Sequence, residues 1–246
     1  MVMVIDIFIR TYSKDFQILK YCLKSIKKFA SGYRNIILCV REKEYDQLLQ
    51  QLNVEISDCT IIKAVNFSDE IDYCGQQISK LNAHNHTNAE YICFVDSDCI
   101  FYNYVNLEEA FFDENKKLIL LKDYWNDVGD ALCWKPCLSK LELLTEYEFM
   151  RRIPQVYPTS IFSPIKKIIE SKMGTSWHVG CLQIYNEYKL SEFNIMGSYM
   201  YMYDKENTNF LFSNDNKIII PTKQFWSYSF HNDTENRFSE IEALLA

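Results

Sequence analysis

Short apolar runs alternate with amphipathic stretches through the first half of the chain. Residues 2–9 are apolar and rich in β-branched side chains, which predicts a buried strand. Phe16, Leu19, Leu23, Ile26 and Phe29 then recur at helical spacing, with Asp15 placed to cap the helix they predict. The same rhythm predicts strands at 35–40 and 60–65, helices at 44–52 and around 69–81, and an apolar strand at 91–95 that ends directly at Asp96. Strand-helix alternation of this kind implies an α/β fold, with a mostly parallel central sheet covered by helices on both faces. Ligands of such sheets bind beyond the carboxyl ends of the strands, so Arg10-Thr11 and Asp96-Ser97-Asp98 are expected to line one edge.

The second half is less regular. Its pattern predicts strands at 118–121, 180–185, 218–220 and 225–230. Helices are predicted at 163–171, with Pro164 in the first turn, at 191–203, amphipathic and capped by Ser191, and at 237–245. No repeat, low-complexity stretch or linker divides the chain, which is read as one compact domain spanning 1–246.

Composition removes several function classes. A net charge of −7 with scattered basic pairs (Lys27-Lys28, Arg151-Arg152, Lys166-Lys167) argues against a nucleic-acid groove. The nine cysteines contain no CxxC pair, which points away from a disulfide framework or zinc site and towards a reducing cytoplasm. No apolar run approaches the length of a membrane span. Only six glycines are present, and neither GxGxxG nor GxxxxGK[ST] occurs, so any phosphate binding falls to a metal, side chains and a few backbone amides.

The strongest chemical signal is Tyr91-Ile-Cys-Phe-Val-Asp96-Ser97-Asp98. Two carboxylates one residue apart leave an apolar strand together, so both can reach one ion, or one ion and a ribose. Mg²⁺ and Mn²⁺ favour such oxygen ligands and keep positions open for substrate phosphates.

At these residues the chain resembles the glycosyltransferases of the GT-A fold, whose DxD motif binds metal and nucleotide sugar. Residues 6–12 resemble the first strand and nucleotide-binding loop, and 76–81 the helix before the DxD strand in viral and bacterial members. Residues 96–101 match the DxD and its apolar continuation. Ser191-Glu192-Phe193 with Gly197 resembles an acidic helix start, and 225–231 a late strand followed by a metal-binding His. The resemblance implies a Rossmann-like GT-A sheet in which about 1–122 binds the nucleotide sugar and about 123–246, less regular, binds the acceptor. It also implies a cytoplasmic enzyme that transfers a sugar from a nucleotide-diphosphate donor, UDP-linked by preference, to a glycan or other hydroxyl acceptor, with Mn²⁺ or Mg²⁺ as cofactor.

Carried over by position, Arg10, Thr11 and Tyr12 would hold the nucleotide, Tyr12 by stacking on the base. Gln76 and Lys80 would contact the donor and its diphosphate, and Ser97 would lie beside them. Asp98 would ligate the metal directly, Asp96 through water or by holding the ribose, and His231 would complete the shell, with His178 as rival. An inverting transfer needs a base for the acceptor hydroxyl, for which Glu192 is the first candidate and Asp127 with Asp130 the second. Trp125 and Trp177 are the preferred acceptor contacts, while Trp134 and Trp226 are expected to be packed. Two alternatives stand beside this reading. One is a phosphohydrolase of the haloacid-dehalogenase type, although here the DxD is late and Ile100 replaces the motif's closing Thr or Val. The other is a sugar-nucleotide-binding protein without catalysis.

Overall fold

Every position of β1 (Ile5–Thr11) is buried, as a central strand with helices on both faces requires. The computed structural model describes residues 3–150, 154–215, 220–225 and 234–246. After β1 comes α1 (Phe16–Phe29), which buries Phe16, Leu19, Leu23 and Ile26 as their spacing predicts. The chain continues through β2 (Ala30–Ser31), β3 (Asn35–Arg41), α2 (Tyr45–Leu52), β4 (Thr60–Ala64), α3 (Asp72–Leu81) and β5 (Tyr91–Phe94). Beyond it lie β6 (Cys99–Phe101), β7 (Val105–Asn106), α4 (Leu107–Phe111), β8 (Leu118–Tyr124), α5 (Lys135–Lys140), β9 (Tyr147–Glu148) and β10 (Gln155–Pro158). The described chain ends with α6 (Phe162–Met173), α7 (Trp177–Tyr188), α8 (Glu192–Tyr203), β11 (Thr208–Phe212), β12 (Thr222–Gln224) and α9 (Thr234–Leu245).

The main sheet has the order β10-β5-β1-β3-β4. Its members β5, β1, β3 and β4 run parallel, and β10 closes one edge antiparallel to β5. The chain moves outward from β1 to β3 and β4, then returns to the other flank of β1 as β5. The crevice beyond the carboxyl ends of β1 and β5 is therefore the topological switch point, where open α/β sheets bind ligands. A smaller sheet, β11-β8-β9, and the pairs β12-β6 and β2-β7 complete the strand pairings.

Phe94, the last residue of β5, anchors this crevice from below. Its ring meets Phe8 at 5.7 Å, Phe193 at 5.9 Å, Phe162 at 6.2 Å and Tyr157 at 6.3 Å between centroids. Burying each such ring is worth roughly 1.5–3 kcal/mol, and together they join β1, β5, β10, α6 and α8 immediately beneath Asp96.

Several expectations change. Residues 180–185 belong to α7, not to a strand. The buried set Trp177, Gly180, Cys181 and Ile184 follows helical spacing, and a short apolar run alone does not distinguish the two periods. Gly180 sits where an added Cβ would lie 2.8 Å from Ile169 Cγ2, so α6 and α7 pack closely there. α8 starts at the expected cap, with Ser191 Oγ accepting from the Asn194 amide at 3.4 Å. Its residues 192–198 are all buried, so it is a core helix rather than an amphipathic one. Asp15 occupies the cap position of α1 but makes no capping bond. The strands expected at 218–220 and 225–230 fall mostly outside the described residues; the described late strand is β12.

Gly197 of α8 faces Phe149, and an added Cβ would lie 2.3 Å from its Cγ. We expect Gly197→Ala to lower stability in urea unfolding by about 1–3 kcal/mol through overpacking, despite alanine's better helix propensity. Gly129→Ala, where the added Cβ meets nothing within 4 Å, should be close to neutral. Equal effects at the two sites would contradict the packing described.

Candidate functional site

Parallel pairing of β1 with β5 sets Phe8 beside Phe94, and the Val95 amide donates to Phe8 O at 3.1 Å. Asp96 therefore leaves the sheet next to Arg10, on the edge expected from the sequence. The Cys99 amide then donates to Asp96 O at 3.0 Å, closing a tight turn with Ser97 and Asp98 at its centre. On the far side β12 pairs with β6, which brings Gln224 over the turn.

Lys80 of α3 organises the charge here. It is 3% exposed, and its Nζ lies 2.9 Å from Asp96 Oδ1 and 3.0 Å from Glu192 Oε1. The Phe193 ring packs 4.5 Å from the same ammonium. Burial pushes the Lys80 pKa down, but Asp96 and Glu192 push it up and prevail, so the ammonium stays charged. Glu192 is itself 2% exposed, and its Oε2 is buried without a hydrogen-bond partner. This corrects the expectation of Glu192 as base: one oxygen is held by Lys80 and the other is closed to an acceptor arriving from solvent. It also alters the expectation for Lys80, whose ammonium is already engaged by two carboxylates.

The turn is rich in negative charge. Asp98 is pushed up to about 8 by burial, with the neighbouring Asp96 and Asp15 adding to the effect. Asp15 is pushed up to about 6, chiefly by burial, although Ser97 Oγ donates to its Oδ2 at 2.7 Å. Gln224 Nε2 donates to Asp98 Oδ1 at 3.1 Å and lies 3.4 Å from Asp96 Oδ2. Asp15 and Gln224 were not legible as site residues: one reads as a helix cap and the other as a strand residue far along the chain.

A second polar layer covers the ends of β1 and β3. Arg10 donates to Asp72 Oδ1 at 3.0 Å, and Arg41 is bound by Glu44 and Asp69, with Ser13 Oγ donating to Glu44 at 2.6 Å. Thr11 Oγ1 and Arg10 Nε are buried without partners. Tyr12 follows directly, with the Arg41 guanidinium 5.7 Å from its ring centroid. Two buried polar atoms without partners thus lie at the end of β1, with the Tyr12 ring next along the chain.

Other expected residues do not join this cluster. Gln76 is half-buried on α3, and its neighbour Gln77 donates instead to Leu190 O at 2.8 Å. Asp127 is exposed on the short turn after β8, as is Asp130. Trp125 is 2% exposed and spends its Nε1 on Thr145 O at 2.9 Å, so it is a core residue rather than an acceptor contact. Trp177 is likewise buried in the first turn of α7, under the Lys166 ammonium at 4.2 Å. Lys166 in turn binds Asn82 past the far end of α3, and the exposed His178 stays with Trp177 there. Trp134 is partly buried against the core. His231 and Trp226 lie outside the described residues.

Among the described residues no group of three His, Cys, Asp or Glu could hold a metal ion alone. Asp96 and Asp98 nevertheless form a close oxygen pair in which burial, and then the neighbouring Asp96, pushes the Asp98 carboxyl up; hard oxygen donors of this kind suit Mg²⁺ or Mn²⁺ and leave other positions open.

No protein-family profile and no curated protein matches this sequence. Solved structures do match in shape. Galactosyltransferase LgtC, in complex with donor and acceptor sugar analogs, superposes with a TM-score of 0.56 at 11% identity, covering 98% of this chain and 95% of that one. An active-site mutant of LgtC gives 0.57 at 12% identity, covering 97% and 95%. The fold is thus of the GT-A glycosyltransferase type, with its parallel-rich central sheet. Among the described residues no helix is long and apolar enough to cross a membrane.

Replacing Lys80 by Met removes the cation shared by two carboxylates while keeping the stem's volume. We expect a loss of about 3–5 kcal/mol in urea unfolding, the usual cost of leaving buried charge unpaired. Adding Glu192→Gln should restore part of it. A single variant as stable as the unaltered protein would contradict the buried bridge.

Proposed function

We propose that this protein transfers a sugar from a nucleoside diphosphate donor, UDP-linked by preference, to a hydroxyl acceptor. The observation that favours this most is the meeting, at the switch point between β1 and β5, of Asp96, Asp98 and Asp15 with a buried Lys80. That crevice belongs to a fold shared over nearly the whole chain with a galactosyltransferase. The same likeness favours this reading over phosphoester hydrolysis by a haloacid-dehalogenase-type enzyme.

In this reading residues 1–122 bind the donor and 123–246 supply most of the acceptor side. Tyr12 stacks on the base, and Arg10 and Thr11, whose Nε and Oγ1 are buried without partners, support the loop that carries it. Asp98 and Asp96 would hold a divalent cation, Mn²⁺ or Mg²⁺, and Asp96 would also take a ribose hydroxyl. When bound, the cation supplies positive charge to the diphosphate as it leaves. Lys80 orients Asp96 through their 2.9 Å contact, and Glu192 fixes Lys80 from behind. An inverting transfer would draw its base from the exposed Asp127 or Asp130, since Glu192 is shut away.

Two crowded carboxylates would repel a diphosphate unless a cation stands between them. We expect calorimetry to show UDP binding with Mn²⁺ and little or none in excess EDTA, and Asp98→Asn to lose the Mn²⁺-dependent part. Equal affinity under both conditions would contradict metal-dependent donor binding.

A further inference from the structure

Gln224 arrives at the acidic turn from the other end of the chain, and its backbone is fixed there twice. It pairs with Cys99 across the β6–β12 ladder, and the amide of the next residue, Phe225, donates to Asp98 O at 2.8 Å. Phe225 is buried in the core, so the strand end is held from both sides. The Gln224 side chain therefore has a defined place, with Nε2 3.1 Å from Asp98 Oδ1 and 3.4 Å from Asp96 Oδ2. One donor lies within reach of one oxygen from each of two carboxylates. That is where a cation shared by the pair would sit.

An amide carries a donor and an acceptor on the same carbon, and a half-turn about its last torsion exchanges them. Gln carbonyl oxygens are ordinary ligands of hard cations. We propose that Gln224 is the third protein ligand of the metal: its NH₂ bridges Asp96 and Asp98 in the free protein, and its Oε1 turns inward when a divalent cation is bound. The inference rests on the metal-dependent donor site proposed above. It assigns to this site a ligand that was not legible in the sequence, where the late ligand was sought at His231.

The experiment is Mn²⁺ titration by calorimetry in the presence of saturating UDP, on unaltered protein, Gln224→Leu and Gln224→Glu, with melting temperatures in EDTA to confirm that each folds. Loss of the carbonyl in Gln224→Leu should weaken Mn²⁺ on the order of tenfold or more, the scale on which groups around a metal site act. Gln224→Glu, which supplies a third carboxylate at the same place, should bind Mn²⁺ at least as tightly as the unaltered protein. If Gln224 only occupies the site in the absence of metal, Gln224→Leu would bind Mn²⁺ more tightly, and if it is merely structural the affinity would not change. Either result overturns the assignment while leaving the donor site standing. Failure of the unaltered protein to bind Mn²⁺ would instead overturn the metal reading and this proposal together.

Discussion

Two carboxylates cannot be brought out of water beside each other unless something balances them, and at the edge of this sheet that task falls to the ammonium of Lys80. Its contacts at 2.9 Å to Asp96 and 3.0 Å to Glu192 tie together α3, the turn after β5 and the first turn of α8. Attraction in such surroundings offsets desolvation only when geometry is good, and removing one partner is then costly. The aromatic packing around Phe94 supplies that geometry from beneath, holding β1, β5 and α8 at fixed distances. The charge bridge and the ring cluster are thus two layers of one device: the apolar layer fixes positions, and the polar layer uses them.

Among the described residues Asp98 has no cationic partner of its own. Burial pushes its carboxyl up, Asp96 and Asp15 add to the effect, and the hydrogen bond from Gln224 opposes it. A site with excess buried negative charge has a standing preference for a cation, and an approaching diphosphate has the same preference. In the proposed function the crevice at the switch point brings the two requirements together. Arg10, Asp72, Arg41 and Glu44 form a balanced network at its rim, so the uncompensated charge is confined to the turn itself.

Much of the first half was legible because β1, β3 and β5 are buried along nearly their whole length while α1 and α2 bury one face, so the two periodicities separate cleanly. The strand ending at Asp96 and the shared edge with Arg10 followed from that alternation alone. Legibility fails where burial becomes uniform. α8 buries residues 192–198 on every side, which hides its period, while α7 buries one stripe whose apolar run at 180–185 is too short to distinguish helix from strand. Roles failed for a related reason. Lys80 and Glu192 are each candidates from the sequence, but a sequence does not show that they face each other at 3.0 Å with both side chains buried. Trp125 and Trp177 sit in polar sequence yet pack inward, because an indole buries far more area than its neighbours can offset. Gln224 and Asp15 carry no local signal, since their partners lie 126 and 82 positions away.

The central claim is that this crevice activates a nucleoside diphosphate sugar. The most direct measurement is release of free nucleoside diphosphate from a panel of UDP- and GDP-linked sugars incubated with the protein and Mn²⁺, without added acceptor. The account predicts slow release from at least one UDP-linked sugar, stopped by EDTA and by Asp98→Asn. Absence of release from every donor, or release indifferent to EDTA and to that substitution, would contradict it.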